Sequence, residues 1–190
     1  MTGDLREIER HTEAAAERRG GTMGVPNEAD TALPELVPPA PDFPTKYISA
    51  GALFLDEQGR LLLVKPTYKE GWEIPGGIVE ADESPVEACR REIREELGLE
   101  LAPGRLLVVD YTSRRPNQSD ALQLVFLGGA LDAAAISAIR LPADELSEYR
   151  FVPPGEAVHL LPTTLARRAA SALLAISDNR TLMLHDGIEV

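Results

Sequence analysis

The chain has a single cysteine among its 190 residues. One cysteine cannot form an intramolecular disulfide or a four-cysteine zinc site, and its scarcity favours a reducing compartment. No apolar run reaches the roughly 18 residues that a membrane span needs. The start, MTGDLREIER, is charged throughout and is unlike a secretory signal. We therefore expect a cytoplasmic protein that does not act with a membrane.

The chain also has fewer positively charged residues than negatively charged ones. The 19 Lys and Arg residues face 31 Asp and Glu residues, which gives a formal net charge of -12. This balance argues against a broad footprint on a large nucleic acid. It is compatible with an acidic site that binds a divalent metal and, through the metal, phosphate. The hydrophobic fraction of 44% is ordinary for a globular protein, and the chain is long enough to bury a core.

Composition divides the chain into three regions. Residues 1–45 combine a short charged helix with a Pro-rich segment and read as an N-terminal arm. Residues 46–176 carry strand patterns interrupted by helix patterns, which predicts an α+β domain. Residues 177–190 are expected to form a tail or a hairpin around Asp186-Gly187.

The secondary structure of the domain follows from apolar runs and turn residues. The predicted strands are Tyr47–Leu55, Arg60–Lys65, Leu106–Thr112, Leu122–Leu127 and Glu148–Val152, and the predicted helices are Pro85–Leu97 and Thr163–Ile176. The first two strands are expected to form a hairpin. A polar loop is expected from Ser113 to Asp120.

The first of these helices is bounded by its own sequence. Ser84 and Glu87 have the spacing of a capping box, and Pro85 suits the first helical position. Gly98 suits the left-handed position that ends a helix. A helical wheel places four residues towards the core, namely Val86, Cys89, Ile93 and Leu97. The cysteine is therefore expected to be inert.

Three carboxylates occupy a separate arc of the same helix: Glu92, Glu95 and Glu96. They repel each other, and they lie towards the negative end of the helix dipole. A hard cation such as Mg²⁺, which takes oxygen ligands, would relieve this cost. From the arc alone, a solvated acidic face is the simpler interpretation.

The spacing around these acids favours the metal. Gly77, Glu83, Arg91-Glu92, Ile93, Glu95-Glu96 and Gly98-Leu99 together resemble the signature of the Nudix hydrolases. WEIPGG before this box and EYRFVPPGEA after it are similar to the same superfamily, so the resemblance covers roughly Lys46 to Leu174. It implies an α/β/α sandwich with a mixed sheet between helices. It also implies metal-dependent hydrolysis of the diphosphate linkage in a nucleoside diphosphate derivative.

The resemblance also implies roles for individual residues. Glu92, Glu95, Glu96 and the carbonyl of Gly76 would bind Mg²⁺ or Mn²⁺. Arg91 would pair with a box carboxylate and hold it in place, and Glu83 would support the loop before the helix. The general base would be a box glutamate or an acid of a later loop, where Asp144, Glu145 and Glu148 are available. Of these three we select Glu145.

The remaining candidates are expected to contact substrate. Trp72 and Tyr111 could stack on a base, as could Tyr68, although an aromatic beside a strand more often packs in the core. Arg114 and Arg115, with Asn117, could reach a phosphate or ribose, although arginines on a polar loop are often only solvated.

The box does not name the substrate. Pro116 lies close to the position that the ADP-ribose type uses, whereas the marks of NADH and coenzyme A pyrophosphatases are missing. An ADP-ribose-like molecule or a nucleoside triphosphate is therefore the expected small-molecule substrate. The alternative is a catalytically silent module that binds a nucleotide or has a regulatory role. The Pro-rich arm and the resemblance together favour a homodimer.

Overall fold

The computed structural model describes residues 45–116 and 119–190. The predicted N-terminal arm therefore lies outside the described residues except for its last position, and Asn117 lies outside them too. The described residues form eight strands and four helices. The strands are β1 (Tyr47–Asp56), β2 (Leu61–Pro66), β3 (Gly76–Ile78), β4 (Leu106–Thr112), β5 (Ala121–Leu131), β6 (Leu146–Val152), β7 (Leu182–His185) and β8 (Ile188–Glu189). The helices are α1 (Pro85–Leu97), α2 (Ala133–Ala138), α3 (Pro154–Leu160) and α4 (Thr163–Ser177).

The strands form one mixed sheet in the order β6-β2-β1-β5-β4-β7-β8, and β3 pairs with β1. The β1–β5 and β4–β7 pairs are parallel, and the other pairs are antiparallel. The predicted β1–β2 hairpin is present. Its turn is fixed by Asp56, whose Oδ1 accepts hydrogen bonds from the backbone N–H groups of Gln58 (3.0 Å) and Arg60 (2.8 Å).

Helices cover both faces of the sheet. Alternate residues of β1 point to opposite faces, so Ala52 and Phe54 join the core beneath α1, whereas Leu53 joins the core beneath α3 and α4. The prediction of an α+β fold with a mixed sheet between helices is confirmed. No helix among the described residues is long and apolar enough to cross a membrane.

Several features differ from those that the sequence predicts, and strand β3 was not among the predicted strands. Strand β5 continues to Leu131, because it pairs with β1 along the whole length of that strand. The short helices α2 and α3 were not expected; α3 begins at Pro154, where the sequence indicated only the end of a strand. Val86, expected in the core, is 49% exposed. The wheel gives a side chain's direction around the axis, but not whether the core extends to the first turn.

The C-terminal segment forms a hairpin that is part of the main sheet. β7 and β8 pair around Asp186-Gly187, and β7 also pairs in parallel with β4. Leu182 and Leu184 of β7 are buried in the core beneath α4. The last residues of the chain therefore extend the same sheet that begins with β1.

Candidate active site

Helix α1 carries the box carboxylates, and its ends are those that the sequence predicts. The Ser84 side chain accepts the backbone N–H of Glu87, the Glu87 side chain accepts the backbone N–H of Ser84, and Gly98 is left-handed with φ 68°. Cys89, Ile93 and Leu97 are buried against the sheet. Glu92, Glu95 and Glu96 flank this buried face: Glu92 and Glu96 are half-buried, and Glu95 is exposed.

Two glycines of β3 let the backbone approach these acids closely. Gly76 pairs with Gly51 of β1, and a Cβ on it would collide with the β1 backbone. A Cβ on Gly77 would fall on the carboxylate of Glu92. A side chain at position 77 would therefore displace the Glu92 carboxylate from its present position.

Arg91 holds the acids together. Its Nη2 donates to Glu83 Oε1 (2.7 Å) and to the carbonyl of Ile78 (3.1 Å). Its Nη1 donates to Glu92 Oε1 (2.8 Å) and Glu95 Oε2 (3.0 Å). Glu83 also accepts the backbone N–H of Glu80 at 2.8 Å, so it ties the loop before α1 to the same arginine. Arg91 therefore pairs with box carboxylates, and Glu83 contacts the loop before the helix; their roles in the reaction stay predictions.

Glu96 is the most perturbed acid of the group. Its Oε2 accepts the backbone N–H of Gly76 at 2.8 Å. Burial raises the pKa of Glu96 to about 8, opposed by this hydrogen bond and reinforced by the charges of Glu92, Glu73 and Glu145. Burial also raises the pKa of Glu92, which Arg91 opposes. Glu95 is exposed and shares Arg91 with Glu92.

These residues fit a hard divalent cation. The donor set contains only oxygen atoms, as Mg²⁺ prefers, and Gly77 leaves open the space into which Glu92 projects. Partly buried carboxylates that raise each other's pKa gain from a nearby positive charge. Within residues 45–116 and 119–190, no three Asp, Glu, His or Cys side chains are already gathered as a metal site. Arg91 is the cation that joins Glu92 and Glu95 here.

The three candidates for the general base have different surroundings. The charge of Glu145 contributes to the raised pKa of both Glu92 and Glu96, so this exposed side chain lies near the box acids. Glu148 is paired with Arg150 at 2.6 Å. Asp144 contacts Thr67 through its backbone carbonyl. Of the three, Glu145 is the one whose charge contributes to the pKa of the box acids, whereas Glu148 is paired with Arg150.

A cleft of about 520 Å³ opens beside the acids, on the α4 side of the sheet. Gly76 and Gly77 line it, so the two glycines separate the cleft from Glu92 and Glu96. Its other lining residues include Ser49, Tyr68, Glu73, Gln123 and Arg168. The volume lies within the range of small-molecule sites.

Several residues of this cleft were not singled out by the sequence analysis, among them Ser49, Glu73, Gln123 and Arg168. Ser49, Gln123 and Arg168 come from β1, β5 and α4, and no local pattern links them. Glu73 lies in the WEIPGG segment, three residues before Gly76, and its charge contributes to the pKa of Glu96. The closeness of Glu73 to the box in the sequence could have identified it as a candidate site residue.

Of the residues predicted to contact substrate, Tyr68 lines the cleft, whereas Trp72, Tyr111, Arg114 and Arg115 do not. Trp72 is 6% exposed and packs in the core, with the Arg150 guanidinium 4.9 Å from its ring centre. Tyr111 donates to Asp120 Oδ2 at 2.9 Å. Arg115 pairs with Asp186 at 3.4 Å, and Arg114 is exposed. None of these four lines the cleft, so their role in substrate binding stays a prediction.

The sequence is similar to those of known proteins. The chain is 38% identical over 66 residues to an RNA pyrophosphohydrolase of Halorhodospira halophila, which covers 35% of each protein. It is 42% identical over 62 residues to the human 8-oxo-dGDP phosphatase NUDT18, which covers 31% of this chain and 19% of that one. The matched segment thus spans about a third or less of these relatives.

A solved structure and a family model extend the comparison to the whole domain. The MutT protein of Methanosarcina mazei Go1 superposes with a TM-score of 0.57 at 26% identity, over 72% of this chain and 96% of that one. The model of the NUDIX domain matches residues 45–175, which is more than half of the chain. The chain therefore belongs to the NUDIX domain family.

Proposed function

We propose that this protein is a metal-dependent pyrophosphohydrolase. Its substrate would be a nucleoside diphosphate derivative, either ADP-ribose-like or a nucleoside triphosphate, cleaved by water attack on phosphorus. One observation carries the proposal: the box acids and the cleft meet at Gly76-Gly77. A nucleoside in the cleft would place its diphosphate beside these glycines, within reach of the acids.

The metal, Mg²⁺ or Mn²⁺, would be held by Glu92, Glu95, Glu96 and the carbonyl of Gly76. Bound there, it would supply Lewis acidity, lowering the pKa of a water and neutralising the diphosphate. The chain's own residues orient these ligands. Arg91 fixes Glu92 and Glu95 through its Nη1, and the backbone N–H of Gly76 fixes Glu96.

Glu145 is the general base of the proposed mechanism. Its carboxylate is exposed, and its charge contributes to the raised pKa of Glu92 and Glu96. The proton of the attacking water would pass to a carboxylate oxygen of Glu145. Thr67 holds the loop that carries Glu145, because its backbone N–H donates to the carbonyl of Glu145 at 2.8 Å.

The test is a hydrolysis screen with Mg²⁺. Its panel contains ADP-ribose, sugar nucleotides, dinucleoside polyphosphates, nucleoside triphosphates and, because one relative is an RNA pyrophosphohydrolase, a 5′-triphosphorylated RNA. On the best substrate, Glu96→Gln should lose about 10²-fold or more in kcat. Glu100→Gln is the matched control, because this exposed acid lies outside the cluster.

Two results would count against the proposal. Wild-type rates from Glu96→Gln, in a protein whose melting curve shows that it is folded, would remove the metal-ligand assignment. Binding of nucleotides without cleavage of any panel member would refute hydrolysis and favour the silent binding module.

We also propose that the protein is a cytoplasmic homodimer. The support is its low cysteine content and the Pro-rich arm of residues 1–45. Deleting residues 1–41 should lower the mass measured by light scattering or reduce activity. An unchanged mass and an unchanged rate would show that the arm contributes to neither.

A further inference from the structure

Arg168 of α4 is a buried arginine that lines the cleft. Only 8% of it is exposed, and arginines are rarely this buried unless they are paired. Its partner is Asp110 of β4: Arg168 Nε donates to Asp110 Oδ2 at 2.9 Å, and Arg168 Nη2 lies 2.8 Å from the same oxygen. Nη2 also donates to Thr112 Oγ1 at 3.4 Å. The edge of the guanidinium formed by Nε and Nη2 is therefore occupied by β4.

The third nitrogen of this guanidinium is free. Arg168 Nη1 makes no hydrogen bond to any other described residue. In the part of the chain that the structure describes, no side-chain nitrogen or oxygen without a partner is sealed from solvent, so Nη1 is accessible. Because the guanidinium is planar, Nη1 lies across the group from the edge that Asp110 occupies. A guanidinium has no acceptor atom, so Nη1 can only donate to a ligand.

Strand pairing places this donor across the cleft from the box acids. Asp110 pairs with Gln123 of β5, Gln123 pairs with Ser49 of β1, and Ser49 pairs with Ile78 of β3. Neighbouring strands lie about 4.8 Å apart, so about 14 Å of sheet separates β4 from β3. Strand β3 carries Gly76-Gly77, where the acids meet the cleft. A diphosphate held at these glycines therefore leaves the β4 side of the cleft to another part of the substrate.

The charge balance of this donor favours an uncharged ligand group. The side chain of Asp110 is 0% exposed, and it cancels much of the attraction that Arg168 would otherwise have for a phosphate. A neutral carbonyl oxygen or ring nitrogen satisfies the free N–H without bringing a further negative charge towards this buried carboxylate.

We propose that Arg168 Nη1 donates to an acceptor atom of the nucleobase and so holds the base of the substrate at the β4 side of the cleft. This inference rests on the proposed function, because it takes the substrate to be a nucleotide whose diphosphate lies at Gly76-Gly77. The base is the part of a nucleoside diphosphate farthest from the terminal phosphate, and every nucleobase has acceptor atoms on its edges. Asp110 is then a positioning residue, since it holds the guanidinium with Nη1 turned away from β4.

The test is a binding measurement by equilibrium dialysis in Mg²⁺, which needs no turnover. The nucleotide probes are the α,β-methylene diphosphates of adenosine, guanosine, uridine and cytidine, and the probe without a nucleoside is methylene diphosphonate. The wild type should bind at least one nucleotide probe more tightly than methylene diphosphonate. Arg168→Lys keeps the charge beside Asp110 but lacks the free nitrogen of the planar group. In this variant the Kd of that nucleotide probe should rise about tenfold or more, whereas the Kd of methylene diphosphonate should not change.

Arg180→Lys is the matched control. It makes the same exchange at an exposed arginine that is paired with Asp178 and Glu189 outside the cleft, so both Kd values should stay those of the wild type. If the melting curve shows that Arg168→Lys does not fold, the double variant Asp110→Leu, Arg168→Met serves instead. It removes the donor together with its buried counter-charge, and the same selective loss is expected.

Three results would overturn the inference. The first is that no nucleotide probe binds the wild type more tightly than methylene diphosphonate. The second is that Arg168→Lys binds every nucleotide probe as tightly as the wild type, and the third is that it loses affinity equally for both kinds of probe, which would give Arg168 a structural role or a role at the diphosphate. A 2′,3′-dideoxy form of the tightest probe separates base from ribose: the selective loss should persist with it, and its disappearance would overturn the assignment to the base.

The same measurements separate this inference from hydrolysis. A selective loss in Arg168→Lys, without hydrolysis of any nucleotide by the wild type, would support the inference and refute the proposed function. Hydrolysis without a selective loss would overturn the inference and leave the function standing. Absence of both binding and hydrolysis would overturn both.

Discussion

The ion pair between Asp110 and Arg168 supports the floor of the cleft, and its removal can be predicted in detail. The side chain of Asp110 is 0% exposed and that of Arg168 is 10% exposed. Asp110 Oδ1 also accepts the backbone N–H of Gly187 at 3.0 Å, which ties the β7–β8 turn to β4. Asp110→Asn keeps the size of the side chain but leaves the guanidinium charge buried without a counter-charge.

Breaking a buried pair from one side costs about 3–5 kcal/mol of unfolding free energy. We expect about 3 kcal/mol for Asp110→Asn, because the amide oxygen still accepts one hydrogen bond. For a domain of this size, such a loss lowers the Tm by about 6–12 °C. The exposed pair of Asp178 and Arg180, 3.2 Å apart with side chains 47% and 48% exposed, provides the control. Asp178→Asn should cost less than about 1 kcal/mol.

Urea unfolding measures both variants, with the fluorescence of the buried Trp72 as the signal. The double variant Asp110→Leu, Arg168→Met replaces the pair with apolar groups and should recover more than half of the loss, since it leaves no uncompensated charge. An Asp110→Asn protein no less stable than Asp178→Asn would refute the argument. A double variant less stable than Asp110→Asn would show that hydrogen bonds, rather than the unpaired charge, dominate the cost.

Three further predictions concern the box and its surroundings. Gly77→Ala places a Cβ on the Glu92 carboxylate and should lower kcat about 10²-fold in steady-state assays; Gly155→Ala, whose Cβ meets nothing within 4 Å, should leave kcat unchanged. Burial raises the pKa of Cys89 to about 12, so the thiol should not react with Ellman's reagent at pH 8 until urea unfolds the protein; rapid reaction of the folded protein would contradict this. Millimolar Mg²⁺ should raise the Tm of the wild type but not of Glu96→Gln, and a wild-type melting curve insensitive to Mg²⁺ and chelator would argue against a metal site.

The limits of helix α1 could be predicted from the sequence because they are set by neighbouring residues. The Ser84–Glu87 capping box and the left-handed Gly98 act within a few positions of the helix ends. The spacing of Glu92, Glu95 and Glu96 likewise fixes their angle around the helix axis, whatever packs against it. The arc alone favoured a solvated acidic face, and it was the resemblance to the Nudix signature that made these acids candidate metal ligands before any tertiary contact was known.

The cleft could not be predicted in this way. Ser49 and Gln123 lie 74 positions apart and meet only because β1 and β5 pair in parallel. Arg168 reaches Asp110, 58 positions away, only because α4 packs over β4. Sequence periodicity reports which face a side chain occupies, but strand register and helix docking decide which distant side chain lies next to it. The arrangement of the acids on α1 was therefore determined by the sequence alone, whereas the grouping of Ser49, Gln123 and Arg168 in the cleft was decided by the tertiary structure.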